Sequence, residues 1–109
     1  MKRWEQTLIG PDRTLREALE RIDQSGCQMA LVVDSKRKLL GILTDGDVRR
    51  ALLKGMSLSD EVVGAMRINP NCALDSDDRA KILTMMRHLG VHHIPVINDS
   101  GLLVGLEMV

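Results

Sequence analysis

Along the first half of the chain the spacing of apolar residues changes from helical to extended and back. In "DRTLREALERIDQSG", Leu15, Ala18, Leu19 and Ile22 recur at i, i+3, i+4 and i+7, one face of a helix, and Gly26 stands where a helix stops. Asp12 or Thr14 is placed to cap that helix, and Glu17, three residues after Thr14, completes a capping box. "MALVVD" is apolar without alternation, the pattern of a buried strand. The polar turn "SKRK" leads to "LLGIL", a second strand made antiparallel to the first by so short a turn. "DVRRALLKGM" returns to helical spacing, with Val48, Ala51, Leu52 and Met56 inward and Asp47 near its N-terminus. With "TLIG" as an opening strand, the first half reads strand–helix–strand–strand–helix.

The second half repeats this pattern. "DDRAKILTMMRHLG" reads as a helix with Ile82, Met86 and Leu89 inward, "HIPVIND" as a strand, "DSG" as a turn and "LLVGL" as a strand. Gly90 follows Gly26 by 64 positions, and Gly105 follows Gly41 by the same 64. At that offset Leu19 matches Leu83, Val32 matches Val96, Val33 matches Ile97 and Leu39 matches Leu103. The chain is a tandem repeat: residues 1–56, a linker over 57–70 ("SLSDEVVGAMRINP", a short helix and a Pro-containing turn), and residues 71–109. Neither copy can bury both faces of so small a sheet alone. The two are expected to pack about a pseudo-twofold axis, with equivalent loops meeting at a shared cleft where a ligand belongs.

Composition narrows the function. There is no Phe or Tyr and only one Trp, Trp4, so Leu, Ile, Val, Ala and seven Met must build the core. Fifteen basic residues balance fifteen acidic ones, and a neutral chain with almost no aromatics is unsuited to nucleic-acid binding. Cys27 and Cys72 have no metal-ligand spacing, and no signal peptide or long apolar span is present. The expected setting is cytoplasmic, away from membranes, with reduced thiols. The methionines read as core filler, and the adjacent His92 and His93 would point to opposite strand faces, one to the cleft and one away, so no metal site is expected.

The chemistry concentrates in "GILTDGDVRR". Asp45 and Asp47 form an Asp-x-Asp at a strand end, the start of a Mg²⁺-dependent phosphatase site, but the further acids and the lysine such an enzyme needs have no place beside them. A binding loop asks for less. A Thr44 hydroxyl at the strand end donates to a phosphate, and Asp47, three residues on, accepts from a ribose diol. The following helix presents free N–H groups, Arg49 and Arg50 lie in its first turn, and Gly46 lets a ligand approach the backbone. The same residue types also serve simply to cap the helix.

The duplication, the element order and Gly-h-h-Thr-x-x-Asp at the end of the last strand of the first copy together resemble the CBS domain over essentially the whole chain, as a tandem pair (a Bateman module). "LLGILTDGDVRRALLKGMSLSDEVVGAM", with Trp4 and "IGPDRTLREAL", is similar to the CBS pairs fused to sugar-phosphate nucleotidyltransferases, and "TDGDVRR" also to those of arabinose-5-phosphate isomerases. The resemblance implies an α+β fold of two βαββα repeats and a non-catalytic, regulatory role in which an adenine nucleotide of the AMP, ADP or ATP class lies between the copies. It places Thr44 at the phosphate and Asp47 at the ribose, with Ile42, Gln28 and Met29 bordering the ligand. It further places Asn71, Cys72 and Ala73 across the pocket, and His92 and His93 within reach of phosphate. The ligand is that nucleotide, with no other cofactor.

The second copy departs from the pattern. Thr44 falls on Met108 at the offset of 64, and the partner of Asp47 falls past Val109, so at most one well-formed nucleotide site is expected. The second copy also lacks its final helix, which leaves an apolar surface for "KRWEQTL" or a further, C-terminal catalytic domain to cover. A homodimer of CBS pairs is implied as well. The alternatives are a ligand-free dimerisation scaffold for the nucleotidyltransferase and the regulatory pair of a sugar-phosphate isomerase.

Overall fold

The structure is a computed structural model that describes residues 3–109. A 3₁₀ turn, Arg3–Thr7, leads into β1 (Leu8–Ile9), α1 (Leu15–Ser25), β2 (Met29–Val33), β3 (Leu39–Thr44) and α2 (Asp45–Leu53). A second 3₁₀ turn, Val62–Gly64, and β4 (Arg67–Ile68) form the link. β5 (Ala73–Leu74), α3 (Arg79–Leu89), β6 (His93–Ile97) and β7 (Leu103–Met108) make the second repeat. The sheets run β1-β2-β3-β4 and β5-β6-β7, each opening with a parallel pair and continuing antiparallel. The repeat extends to register: Val32 pairs Gly41 as Val96 pairs Gly105, and a bulge follows each pair, at Val32/Val33 and at Val96/Ile97.

Local chemistry sets the ends of α1. Thr14 caps it, its Oγ1 accepting from the Glu17 N–H at 3.2 Å, and Gly26 ends it at φ 68, donating to Ile22 O at 3.0 Å. Asp12 plays no part in the cap. The Glu17 carboxylate receives the Thr14 hydroxyl and Arg13 Nε instead of the Thr14 backbone N–H, so the expected reciprocal box does not close here. Two N–H groups of the first turn, on Leu15 and Arg16, donate to Asp60 O and Leu58 O, which ties the linker back onto the first repeat.

β2 explains its unbroken apolar run. Ala30 and Val32 face α1 and α2 together with Leu15, Ile22 and Val48, while Met29, Leu31 and Val33 face the other way. There they meet Trp4, Cys27, Leu103 and Leu106 in a cluster shared by the two repeats. Both faces of the strand are therefore dry, and alternation disappears.

Two expectations change, and a third is met in part. The helix read through Met56 ends at Leu53, because Gly55 turns the chain at φ 104; Leu52 is partly exposed and Met56 packs on the core from the loop. The linker contains β4, which pairs antiparallel with β3 through Gly41 opposite Ile68 and Ile42 opposite Arg67. Its side chains are exposed, so no hydrophobic pattern announces it. Finally, the N-terminal turn covers part of the second repeat and leaves the flank of α3 open among the described residues. Trp4 packs into the shared cluster, with the Arg37 guanidinium 5.6 Å from its ring, while a groove of about 780 Å³ stays open along Leu83, Met86, Gly90, Val91 and Val109.

Candidate functional site

A cleft of about 270 Å³ opens where the starts of β2 and β6 converge on the end of β3. Its volume lies just below the ~300 Å³ at which small-molecule clefts begin. The groove along α3 is larger, but the cleft has the converging polar groups. Gln28, at φ 65 before β2, and Met29 form one wall; Ile42 and Thr44 come from β3, and Arg67 from β4. Asn71 comes from the linker, and Leu89, Val91, His92, His93, Ile94 and Pro95 from the end of α3 and β6. No carboxylate lines this cleft among the described residues, whereas an arginine and two histidines do.

Of the residues singled out in the sequence, Gln28, Met29, Ile42, Thr44, Asn71, His92 and His93 thus come together. His92 and His93 both border the cleft, as the family resemblance implies and contrary to the opposite faces expected of a strand, because β6 starts only at His93 and strand alternation does not yet apply at His92. Burial pushes the His93 pKa down and the neighbouring His92 lowers it further, so His93 is a neutral hydrogen-bonding group at pH 7.

Gly46, Asp47, Arg49, Cys72 and Ala73 do not line the cleft. Gly46 sits in the first turn of α2, where an added Cβ would meet only the movable Arg50 guanidinium, at 3.3 Å. Arg49 is exposed on the outer face of α2, because the inward positions go to Val48 and Ala51. Ala73 is fully buried in β5, opposite Val96. Cys72 Sγ donates to Pro70 O at 3.3 Å, and burial pushes its thiol pKa up, which keeps it protonated.

Asp47 departs most from expectation. Thr44 and Asp47 form a complete capping box: Thr44 N donates to Asp47 Oδ2 at 3.0 Å, and Asp47 N to Thr44 Oγ1 at 3.2 Å. Asp47 Oδ1 accepts from Arg50 Nη2 at 2.8 Å and Arg67 Nε at 2.9 Å. The carboxylate, 7% exposed, lies in a neighbouring crevice with Arg50, Lys54 and Met56. Neither acid of the Asp-x-Asp lines the cleft. The Thr44 oxygen accepts from the helix, and its hydroxyl also hydrogen-bonds the Asp47 carboxylate.

Burial pushes the Asp47 carboxyl pKa up, but the Thr44 N–H, the two arginines and the Thr44 hydroxyl outweigh it and hold the pKa below the ordinary value. A depressed folded pKa stabilises the fold above the unfolded carboxylate pKa of ~3.9, and that stability is lost as acid carries the pH down through the folded pKa. Asp47→Asn is expected to cost about 1.5 kcal/mol at neutral pH, the low end for charge-assisted bonds because both guanidiniums are more than half exposed. Urea unfolding of both proteins from pH 7 to pH 2 checks this: the gap should be full at pH 6 and close below pH 4.

Arg67, Leu89, Val91, Ile94 and Pro95 were not singled out in the sequence. Arg67 belongs to the cleft only because β4 pairs with β3, and the one sequence signal was a lone arginine in the "RINPN" linker. Among the described residues no group of three or more His, Cys, Asp or Glu is placed to hold a metal, and no helix is long and apolar enough to cross a membrane.

The family model of the CBS domain matches twice, over residues 7–54 and 60–106. The chain belongs to the CBS domain family. The first match lies within the first repeat and the second takes in most of the linker together with the second repeat as far as residue 106, so the molecule is a CBS pair. An uncharacterized protein of Helicobacter pylori strain J99 is 36% identical over 102 residues, covering 91% of this chain and 30% of that protein. Arabinose 5-phosphate isomerase GutQ of Escherichia coli K12 is 30% identical over 95 residues, covering 84% of this chain and 29% of the enzyme. This CBS pair therefore spans about 30% of the length of these two curated relatives. Among solved structures, a CBS domain protein from Pyrobaculum aerophilum complexed with AMP superposes with a TM-score of 0.80 at 20% identity, over 99% of this chain and 87% of that one.

Proposed function

We propose that the cleft binds an adenine nucleotide of the AMP, ADP or ATP class and that the CBS pair regulates an attached enzyme. The observation that carries this reading is the lining of the cleft: both repeats contribute, Thr44, Arg67 and His92 offer donors, and no carboxylate opposes an anion among the described residues. The apolar wall of Met29, Ile42, Val91 and Ile94 suits a base. The AMP bound to the Pyrobaculum aerophilum protein, which shares this fold, supports the same ligand class here.

The attached enzyme proposed from the sequence resemblance is a sugar-phosphate nucleotidyltransferase. The relationship to GutQ favours a second reading, the regulatory pair of a sugar-phosphate isomerase. Either way, coupling between nucleotide and enzyme is limited to the ligand's differential affinity for the two states, typically about 1–3 kcal/mol. The homodimer implied by the family resemblance is part of the proposal, supported by exposed apolar residues such as Leu53 and Val63.

Calorimetric titration with AMP, ADP, ATP and a sugar nucleotide tests the reading. A saturable heat is expected with an adenine nucleotide, and at a free concentration of 100 times Kd the fold should gain about 2.7 kcal/mol. Absence of heat and of any melting-temperature rise with all four would leave the ligand-free dimerisation scaffold as the function.

A further inference from the structure

The 64-residue offset carries the cleft onto a second place in the molecule. It exchanges Gln28 with His92 and Met29 with His93, so the cleft lies on one side of the pseudo-twofold axis and a matching site belongs on the other. The rest of the lining maps Ile42 to Leu106, Thr44 to Met108, Val91 to Cys27, Leu89 to Ser25 and Asn71 to Thr7. The two sides are in opposite states. Asn71, Leu89 and Val91 are exposed, whereas Thr7, Ser25, Cys27 and Leu106 are buried.

Trp4 closes the second side. It is 8% exposed and packs in one cluster with Cys27, Met29, Leu31 and Leu106. Cys27 and Leu106 are the counterparts of Val91 and Ile42, which belong to the apolar wall suited to a base in the open cleft. An indole, like a purine, is a flat fused bicycle, and the chain spends its only aromatic side chain here. The turn that carries Trp4 is clasped from outside. Arg37, at φ 69 in the β2–β3 hairpin, lies 5.6 Å over the indole and pairs with Glu5 at 2.9 Å. The linker takes another course at the same offset: Ile68, the counterpart of Trp4, lies in β4 and is 68% exposed. The cleft beside the linker therefore stays open, while the N-terminal turn fills its twin.

We propose that this second place is a latent base-binding pocket and that Trp4 is its built-in occupant. The ligand class rests on the nucleotide reading of the cleft. A nucleoside base and the Trp4 indole exclude one another, so the wild type takes one ligand per chain. Met108 stands where the cleft has Thr44 and offers no hydroxyl, so adenosine rather than a nucleotide is the suitable probe.

The test titrates the wild type and Trp4→Ala with adenosine and, separately, with indole. Calorimetry, the melting temperature and the amide resonances of Cys27 and Leu106 are the readouts. The wild type should bind one equivalent of adenosine and Trp4→Ala two, with those two amides moving only in the variant. Indole should raise the melting temperature of Trp4→Ala and leave the wild type unchanged. Loss of the indole can itself unfold the chain, but a ligand that fills the cavity then restores the fold, so the melting temperature still reports binding. In that case adenosine should raise the melting temperature of Trp4→Ala more than that of the wild type. Rescue by indole without a second adenosine equivalent or that larger rise makes Trp4 an ordinary core residue. That result sinks this inference and leaves the nucleotide reading standing, as does a variant that neither compound stabilises beyond the wild type. Adenosine bound by Trp4→Ala at Cys27 and Leu106, with none bound by the wild type, upholds the latent pocket and removes the nucleotide reading of the cleft.

Discussion

Leu31→Ala is expected to cost about 2–5 kcal/mol, a large part of the roughly 5–15 kcal/mol that holds a domain folded. Leu31 is fully buried and lies at the centre of β2, paired with Leu8 on one side and Ile42 on the other. Its side chain points at the second repeat, into the cluster with Trp4, Leu103 and Leu106. Truncation opens a cavity between two rigid sheets that have no slack to close it, which places the cost above bare transfer of the lost atoms. Guanidinium unfolding gives the stability change, and the fluorescence of Trp4, the chain's only aromatic residue, reports the same cluster directly. Leu53→Ala is the control: at 81% exposure it should change stability by less than about 0.5 kcal/mol.

The second large effect is expected at Gly41. A Cβ there would lie 2.6 Å from the Arg67 carbonyl oxygen and 2.9 Å from Met66 Sδ. The sulfur is movable, but the carbonyl belongs to the β3–β4 ladder and shifts only by breaking it. Gly41→Ala should therefore cost about 1–3 kcal/mol and displace β4 from the cleft. Gly105 occupies the equivalent register in the second repeat, opposite Val96, but its nearest neighbour to an added Cβ is 3.8 Å away, ordinary contact. Gly105→Ala should then be neutral within about 0.5 kcal/mol. Urea unfolding of the two variants side by side checks the contrast. Equal effects would show that β4 does not press on β3 as described.

That contrast shows how the repeat and its breakdown are distributed. Gly41 and Gly105 look identical in the sequence, and the pairing registers around them are identical too. They differ only because β4 lies beside β3, while β7 has no such neighbour among the described residues. The same asymmetry brings Arg67 into the cleft. A two-residue strand with both side chains exposed has no hydrophobic period, and its pairing is set by where the linker is tied, through Asp60 and Leu58, onto the start of α1.

Local rules were enough for α1, β2, β3, β6 and β7, though not for β4 or the end of α2. The i, i+3, i+4 spacing in α1, its Thr14 and Gly26 ends, and the 64-residue offset are all properties of neighbouring residues or of the repeat itself, and the folded chain keeps them. Sequence also pointed to Thr44, Gln28, Met29, His92 and His93, which the fold gathers at one cleft. The role of Asp47 was not legible in the same way. A Thr-x-x-Asp spacing suits both a ligand grip and a capping box, and where the carboxylate comes to rest depends on which cations reach it from outside the motif. Arg50 comes from the same helix, but Arg67 comes from 20 residues away through the β3–β4 pairing. Local spacing can specify a helix, its cap and a duplication, because each is closed by contacts a few residues apart. The direction in which a charged side chain is turned depends on long-range pairing, and here that pairing exists only in the folded molecule.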